Sequence, residues 1–352
     1  MFHHTAQHRT FGAAVRDLTH PKAPVRTAAA RDLCRHVQDH RAEVIEQLRR
    51  CLEEDDDADV RAAAALALAD AEATEAVPEL ILAAEQEAHV AVRQMVLSAL
   101  GELGDTRALP VVRAALSDEQ APLRFQATMA FARLCPDHDE AVRALLDATE
   151  DDDPLVCHIA LRMAEELGDE RDPQAAAAPQ LVDRAMDLLD HQTDEVRVAA
   201  AVILARSGRA EGDEVLAAVA SRSAHTNETE DEAAAIELCG QRRLERSAPA
   251  LERRAFSPRF SLRRDPFVWH ARVALAAMDH PRAVEWVRRE LRSASRERRT
   301  LAAAAAGRAC VAAARPELRA LHRSAEGVDR EVVTEALAKL DARRKPRDEE
   351  AE

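Results

Sequence analysis

The sequence predicts an all-α fold, a right-handed α–α superhelix of about ten stacked helical hairpins. Three observations predict it. Apolar residues recur at helical spacing inside units that repeat every 31 to 40 residues. Alanine dominates the apolar fraction, and no strand-like alternation persists over more than a few residues. Each unit also opens with a short polar, mostly acidic turn, which punctuates the chain at the same period.

The clearest unit is Ala88–Gln120. Val92, Val96, Leu100 and Leu103 fall on one face of a first helix, and Gly104 with Asp105 stops it. Pro110 suits the first turn of a second helix, where its missing N–H costs nothing; Val111, Ala115 and Leu116 are expected to form that helix's buried stripe. A two-helix unit of this size cannot bury its own apolar face, so it needs neighbours on both sides. The residues that begin the inner helices are Val25, Val60, Val92, Leu123, Val156 and Val196, then less regularly Glu232, Val268, Arg299 and Val332. The reading is therefore one solenoid over residues 1–342, acidic to about 240 and basic from about 241, with a charged tail at 343–352.

The helix openings VRTAAARDLC, VRAAAALALA, VRQMVLSALG and LRFQATMAFA follow turns such as EEDDDAD and SDEQAP. This pattern resembles HEAT repeats, in particular the short bacterial subclass named after phycobilisome lyases. The resemblance implies that the arginine after each anchor pairs with a turn carboxylate, forming a ladder that fixes one repeat against the next. Arg26, Arg61, Arg93, Arg124 and Arg197 occupy that position, with Asp57, Asp118 and Asp153 as the expected partners; Cys157 interrupts the series. Tetratricopeptide repeats have a similar period but would place aromatic and glycine residues inside each helix pair, and these are missing.

The net charge of −15 conceals an asymmetry. Residues 51–240 carry 42 acidic and 14 basic residues, whereas residues 241–347 carry 13 acidic and 26 basic. Six cysteines without CxxC spacing, a start lacking a signal-peptide core and no apolar run of bilayer length together predict a cytoplasmic protein. His3, His4 and His8 form the one histidine cluster and read as a frayed terminus rather than a metal site.

Three segments depart from the period: 168–180, 221–232 and 252–270. The second carries helix-capping chemistry in Thr229 and Asp231. The third gathers Arg253, Arg254, Phe256, Arg259, Phe260, Arg263, Arg264, Phe267 and Trp269, and its prolines Pro258 and Pro266 forbid a continuous helix. Such a mixture can grip phosphates, stack on bases or anchor a protein partner; alternatively its aromatics seal an irregular repeat. A second candidate surface comes from the positions two and six after each anchor, which point away from the apolar stripe. They include Leu66, Phe125, Met129, His158, Arg162, Val198 and Val202, and their apolar character suits a groove for a helix or an extended peptide. His158 and His270 are expected to be isolated surface histidines.

No His-Glu dipeptide for a di-iron centre, no Gly-rich phosphate loop, no GxSxG and no HExxH is present. The expected function is a non-catalytic protein-binding scaffold without cofactor or metal. The alternatives are nucleic-acid binding confined to the basic C-terminal third, and a bilin-lyase-like enzyme as the family resemblance implies.

Overall fold

The computed structural model describes residues 9–168, 176–256, 265–324 and 327–342. Every regular element among them is helical. The chain divides into two compact units at Leu181/Val182.

The first unit contains α1 (Phe11–Asp17), α2 (Ala23–Leu33), α3 (Val37–Glu54), α4 (Ala58–Asp70), α5 (Val77–Gln86), α6 (Val90–Leu103), α7 (Leu109–Ala115), α8 (Ala121–Leu134), α9 (His138–Ala148) and α10 (Pro154–Leu167). Helix α11 (Pro179–Asp187) crosses the division. The second unit continues with α12 (Asp194–Arg206), α13 (Asp213–Ser221), α14 (Thr229–Gln241), α15 (Ala248–Phe256), α16 (Val268–Ala277), α17 (Pro281–Leu291), α18 (Arg296–Arg308), α19 (Arg315–Ser324) and α20 (Arg330–Ala342). All ten anchors lie in even-numbered helices. Within each unit these inner helices pack side by side in chain order, and the odd-numbered outer helices flank them.

The inner helices present buried apolar residues at three- and four-residue spacing, such as Val60, Ala64 and Leu68 on α4, and Val92, Val96 and Leu100 on α6. Fully burying each large side chain of this kind contributes about 1.5–3 kcal/mol. On α7 the expected stripe holds at Ala115 but not at Val111 and Leu116. Val112 and Ala115 are buried with Ala108, while Val111 and Leu116 are only half-buried. Pro110 starts the helix at Leu109, and that register turns the set at i, i+4 and i+7 toward α8.

Alanine and glycine allow the inner helices to approach closely. A Cβ on Gly101 would lie 2.9 Å from the Ala130 Cα, and one on Gly240 would lie 2.4 Å from the Ala274 Cα. Both glycines stand twelve residues after their helix N-cap, at backbone-to-backbone contacts between successive inner helices. Gly104 serves a different purpose, ending α6 at φ +69° in the left-handed region, as its position in the sequence predicts.

Candidate functional site

The geometry is set by the arginines four residues after each inner-helix N-cap. Arg26 donates Nε and Nη2 to the Asp55 carboxylate of the next repeat, each at 2.7 Å. Arg61 does the same to Glu87 at 2.7 and 3.0 Å, and Arg124 to Asp151 at 2.6 and 2.7 Å. Arg93 reaches Asp118 at 2.8 Å. Arg26, Arg61 and Arg124 also place Nη1 on the carbonyl six residues back, on His20, Asp55 and Asp118 at 2.8–3.0 Å. Each of these guanidiniums thus ties its own turn to the next, a two-pronged arrangement that lysine could not make.

The sequence placed this ladder correctly on Arg26, Arg61, Arg93 and Arg124 and on Asp118, but not on Asp57 and Asp153. Arg197 keeps the bond to the carbonyl six residues back, on His191, and pairs with Asp194 of its own helix instead of a carboxylate of the next turn. Asp57 and Asp153 are the N-caps of α4 and α10, with their carboxylates on Asp59 N–H at 3.0 Å and Leu155 N–H at 2.9 Å. The ladder acid stands two residues before the N-cap, and it accepts the N-cap amide as well: Asp55 from Asp57 and Asp151 from Asp153, both at 2.9 Å. Burial opposes the charge on Asp55, yet the Arg26 hydrogen bond holds its carboxyl below the ordinary range. The Arg124 hydrogen bond does the same for Asp151, as Arg61 does for Glu87.

With the first acid of a turn taken by the ladder and the third residue standing at the N-cap, the middle acid is left over in the turns before α4, α8 and α10; before α6 the middle residue is Ala88. Asp56, Glu119 and Asp152 are exposed, and their carboxylates make no hydrogen bond or ion pair. They line the N-terminal edge of α4, α8 and α10. A hollow of ≈ 650 Å³ opens on this edge between the outer helices α3 and α5, with Asp56, Leu82, Gln86 and Glu87 in its wall.

Between this edge and the helix C-termini lies the inner face of the first unit, turned away from the outer helices. Leu66, Phe125 and Met129 are half-buried there, as is Met95, which sequence reasoning passed over. Leu155, at the start of α10, is 56% exposed. Arg162 is half-buried on the same helix as His158. His158 itself departs from expectation: it is buried at 6% exposure instead of lying on the surface. Val198 and Val202 also depart, being fully buried members of the second unit's core. The position rule fails on α12 because nearly every residue from Val196 to Ala205 is enclosed, leaving no open face.

The basic, aromatic segment is largely turned inward where it is described. Arg254 is buried, with Nη2 on Glu232 at 2.5 Å, Nε on Asp265 at 2.7 Å and its guanidinium over the Phe267 ring. Burial works against its charge, but the two carboxylates hold its pKa above the ordinary arginine value. Phe256 is covered by Arg272 and Arg282, and Arg272 also lies over Trp286. Arg253 is exposed; Arg259, Phe260, Arg263 and Arg264 lie outside the described residues, as do His3, His4 and His8. The capping expected of Thr229 and Asp231 is not seen. Helix α14 starts at Thr229 with Glu228 as N-cap and no side-chain cap bond, and Asp231 is buried at 1% exposure.

A small cluster joins three inner helices of the second unit. Glu237 on α14 accepts Arg308 of α18 at 2.9 Å and lies 2.7 Å from His270 Nδ1 on α16. Arg308 also covers the half-buried Trp269 ring, whose buried Nε1 has no hydrogen-bond partner. Burial opposes the charge on Glu237, but His270 and Arg308 keep its carboxyl below the ordinary range. The sequence pattern marks His270 as isolated; Glu237 and Arg308 sit one repeat away from it on either side, beyond any local window. Among the described residues no group of His, Cys, Asp and Glu is arranged to hold a metal, and no helix is long and apolar enough to cross a membrane.

A family model described as HEAT repeats matches residues 45–132 and 77–165. No curated protein matches the chain in sequence. Among solved structures, the complex of CpcE and CpcF of phycocyanin lyase from Nostoc sp. PCC7120 is similar at 18% identity, covering 72% of this chain and 96% of that one with a TM-score of 0.44. An engineered protein is similar at 18% identity over 94% of this chain and 98% of its own, with a TM-score of 0.38. A second engineered protein reaches 21% identity over 56% and 96%, also at 0.38. At these scores the likenesses bear on neither activity nor partner.

Proposed function

We propose that this protein, built of HEAT repeats over the matched residues, is a non-catalytic adaptor that holds a segment of another protein against the inner face of its first unit. One observation carries the reading. Leu66, Met95, Phe125 and Met129 remain partly in solvent on neighbouring inner helices, although the outer-helix side of the same helices is fully packed. The ladder below them holds these three helices in fixed register, which makes the face preorganised for binding.

A photo-crosslinking amino acid placed at Met129 should capture a partner protein in the native cell, and the same group at exposed Arg143 on α9 should not. Replacing Phe125 and Leu66 with Ser should then abolish capture without loss of helical signal. Capture of equal strength from position 143 would count against the inner face.

A second reading, contact with nucleic acid, draws on Arg246, Arg296, Arg319, Arg323 and Arg330, which are exposed and in no ion pair. It is the weaker one, because most other described arginines of the basic stretch are engaged, Arg242 with Asp213 and Arg292 with Glu317 among them. Protein capture that disappears on nuclease treatment would favour it.

A further inference from the structure

We propose that the segment held by the first unit is a basic amphipathic helix; this rests on the inner-face reading above and names the partner's chemistry. The floor and the edges of the face supply independent halves of the argument. The floor is apolar, with Leu66, Met95, Phe125 and Met129 on α4, α6 and α8. Flexible methionines and a single phenylalanine suit a surface that adapts to an inserted apolar side chain.

The edges are acidic, and their charge is unspent. Asp55, Glu87, Asp118 and Asp151 are consumed by the ladder, but Asp56, Glu119 and Asp152 are in no ion pair. Along the C-terminal edge Asp70 is likewise exposed and in no ion pair, and Glu102 is exposed with the Ser98 hydroxyl on it. Arg133, at the C-terminal end of α8, is already taken by Glu166. An apolar strip between two rows of unneutralised carboxylates is complementary to a segment with an apolar stripe and cations on both flanks.

The repeat spacing selects a helix over an extended chain. Packed helices lie about 8–10 Å apart, so the face offers an apolar site at roughly that interval, with a free acid on one edge or the other at each step: Asp56 and Asp70 at α4, Glu102 at α6 and Glu119 at α8. Seven residues of α-helix rise about 10.5 Å, which brings an apolar residue and a cation back to the same face at each repeat. A β-strand returns a side chain to one face about every 7 Å and falls out of step.

The test uses the full-length protein and a fluorescein-labelled synthetic peptide of about 22 residues, with Leu at helical i, i+3, i+4 and i+7 positions and Arg on the flanks. Anisotropy titrations at low and moderate salt should show binding, with helical circular dichroism induced in the peptide. A peptide with Glu in place of Arg should bind at least about tenfold more weakly. The variant Asp56→Asn, Glu119→Gln, Asp152→Asn should lose about tenfold in affinity and flatten the salt dependence, since fewer screened charges contribute. These residues are exposed and in no ion pair, so the fold should survive. A matched variant at other exposed acids, Glu46→Gln, Glu85→Gln, Asp147→Asn, should lose less than about twofold.

Equal losses in the two variants would reduce the effect to net charge and overturn the proposal. So would undiminished binding of the acidic peptide, or sedimentation showing a dimer of this chain that excludes the peptide and dissociates in the Phe125→Ser variant. If crosslinking at Met129 still captures a protein while no basic helix binds, the partner class falls and the adaptor reading stands. If neither occurs, both fall.

Discussion

The first unit keeps its arginine ladder in one register from α2 to α8, until Cys157 takes the position on α10, whereas the second unit rewires it. Arg26, Arg61, Arg93 and Arg124 each stand four residues after an N-cap and reach forward to the next turn. In α14 that position holds Glu232, and in α16 it holds buried Ala271. The cation is supplied instead by Arg254 from the outer helix α15, which bonds both Glu232 and the ladder acid Asp265. Asp265 still accepts the amide two residues on, from Phe267 at 2.9 Å, as Asp55 does from Asp57. At α18 the arginine returns, but Arg299 meets the Gly327 carbonyl at 2.7 Å instead of a carboxylate. The planar donor between consecutive turns can thus come from the inner or the outer helix, and its acceptor can be a carboxylate or a carbonyl.

The largest effect should come from the rewired rung. Arg254 is nearly enclosed, and Arg254→Ala would leave the Glu232 and Asp265 carboxylates without it, with Arg222 the remaining cation on Asp265 among the described residues. Removing one partner of a buried charge network costs about 3–5 kcal/mol. Hydrogen exchange should show the loss confined to α14–α16, with the first unit unaffected. Arg254→Lys should recover the charge but only one of the two planar contacts, landing between the variant and the wild type. Full stability in Arg254→Ala would mean that the second unit is held by packing alone.

The sequence makes the regular parts of the molecule legible and hides the irregular ones, for a physical reason. Helical period, acidic turns and the arginine position depend on residues a few places apart, so the ten inner helices and the ladder arginines could be read directly. The ladder acid could have been found too, since Asp55, Glu87, Asp118 and Asp151 all precede the N-cap by two residues; Asp57 and Asp153 misled because they are acidic for a separate, local reason. Arg254 is enclosed by partners 11 and 22 residues away, and the Glu237–His270–Arg308 cluster spans three repeats, so nothing in a local window marks either. The valines of α12 show the opposite failure: a position rule that holds for α4 and α8 breaks where the helix is enclosed on nearly every side.

A middle-sized effect is expected from a regular rung. Arg124 is less enclosed than Arg254 and holds Asp151 with both prongs while bonding the Asp118 carbonyl. Arg124→Ala should cost about 1.5–3 kcal/mol, the range for hydrogen bonds to charged groups. The comparison sharpens if urea unfolding of the two alanine variants differs by about twofold or more. Equal costs would show that burial adds nothing to the rewired rung.

The smallest difference should be one of pH. Asp55, Glu87, Asp118 and Asp151 all have carboxyls held below the ordinary range: for Asp55 and Asp118 burial opposes the charge but the hydrogen bonds outweigh it, and for Glu87 and Asp151 the arginine bond leads. A depressed folded-state pKa means that the unfolded chain binds protons first as pH falls. The stabilisation is therefore complete above about pH 5, and it is lost as the pH drops below the ordinary carboxylate range near 4 and through the lower folded values. The N-cap amides of Asp57, His89, Gln120 and Asp153 bond to these same carboxylates, so they report on each rung. In the second unit the amide of Asp329 is bonded to the Thr300 hydroxyl, and the neighbouring Arg299 rung ends on a carbonyl; neither acceptor titrates. Hydrogen exchange at pH 3 and pH 6, corrected for intrinsic rates, should then show protection falling at the four first-unit amides and holding at Asp329. A parallel fall at all five would trace acid sensitivity to the whole stack loosening, and the ladder would lose its claim to set the register of the first unit.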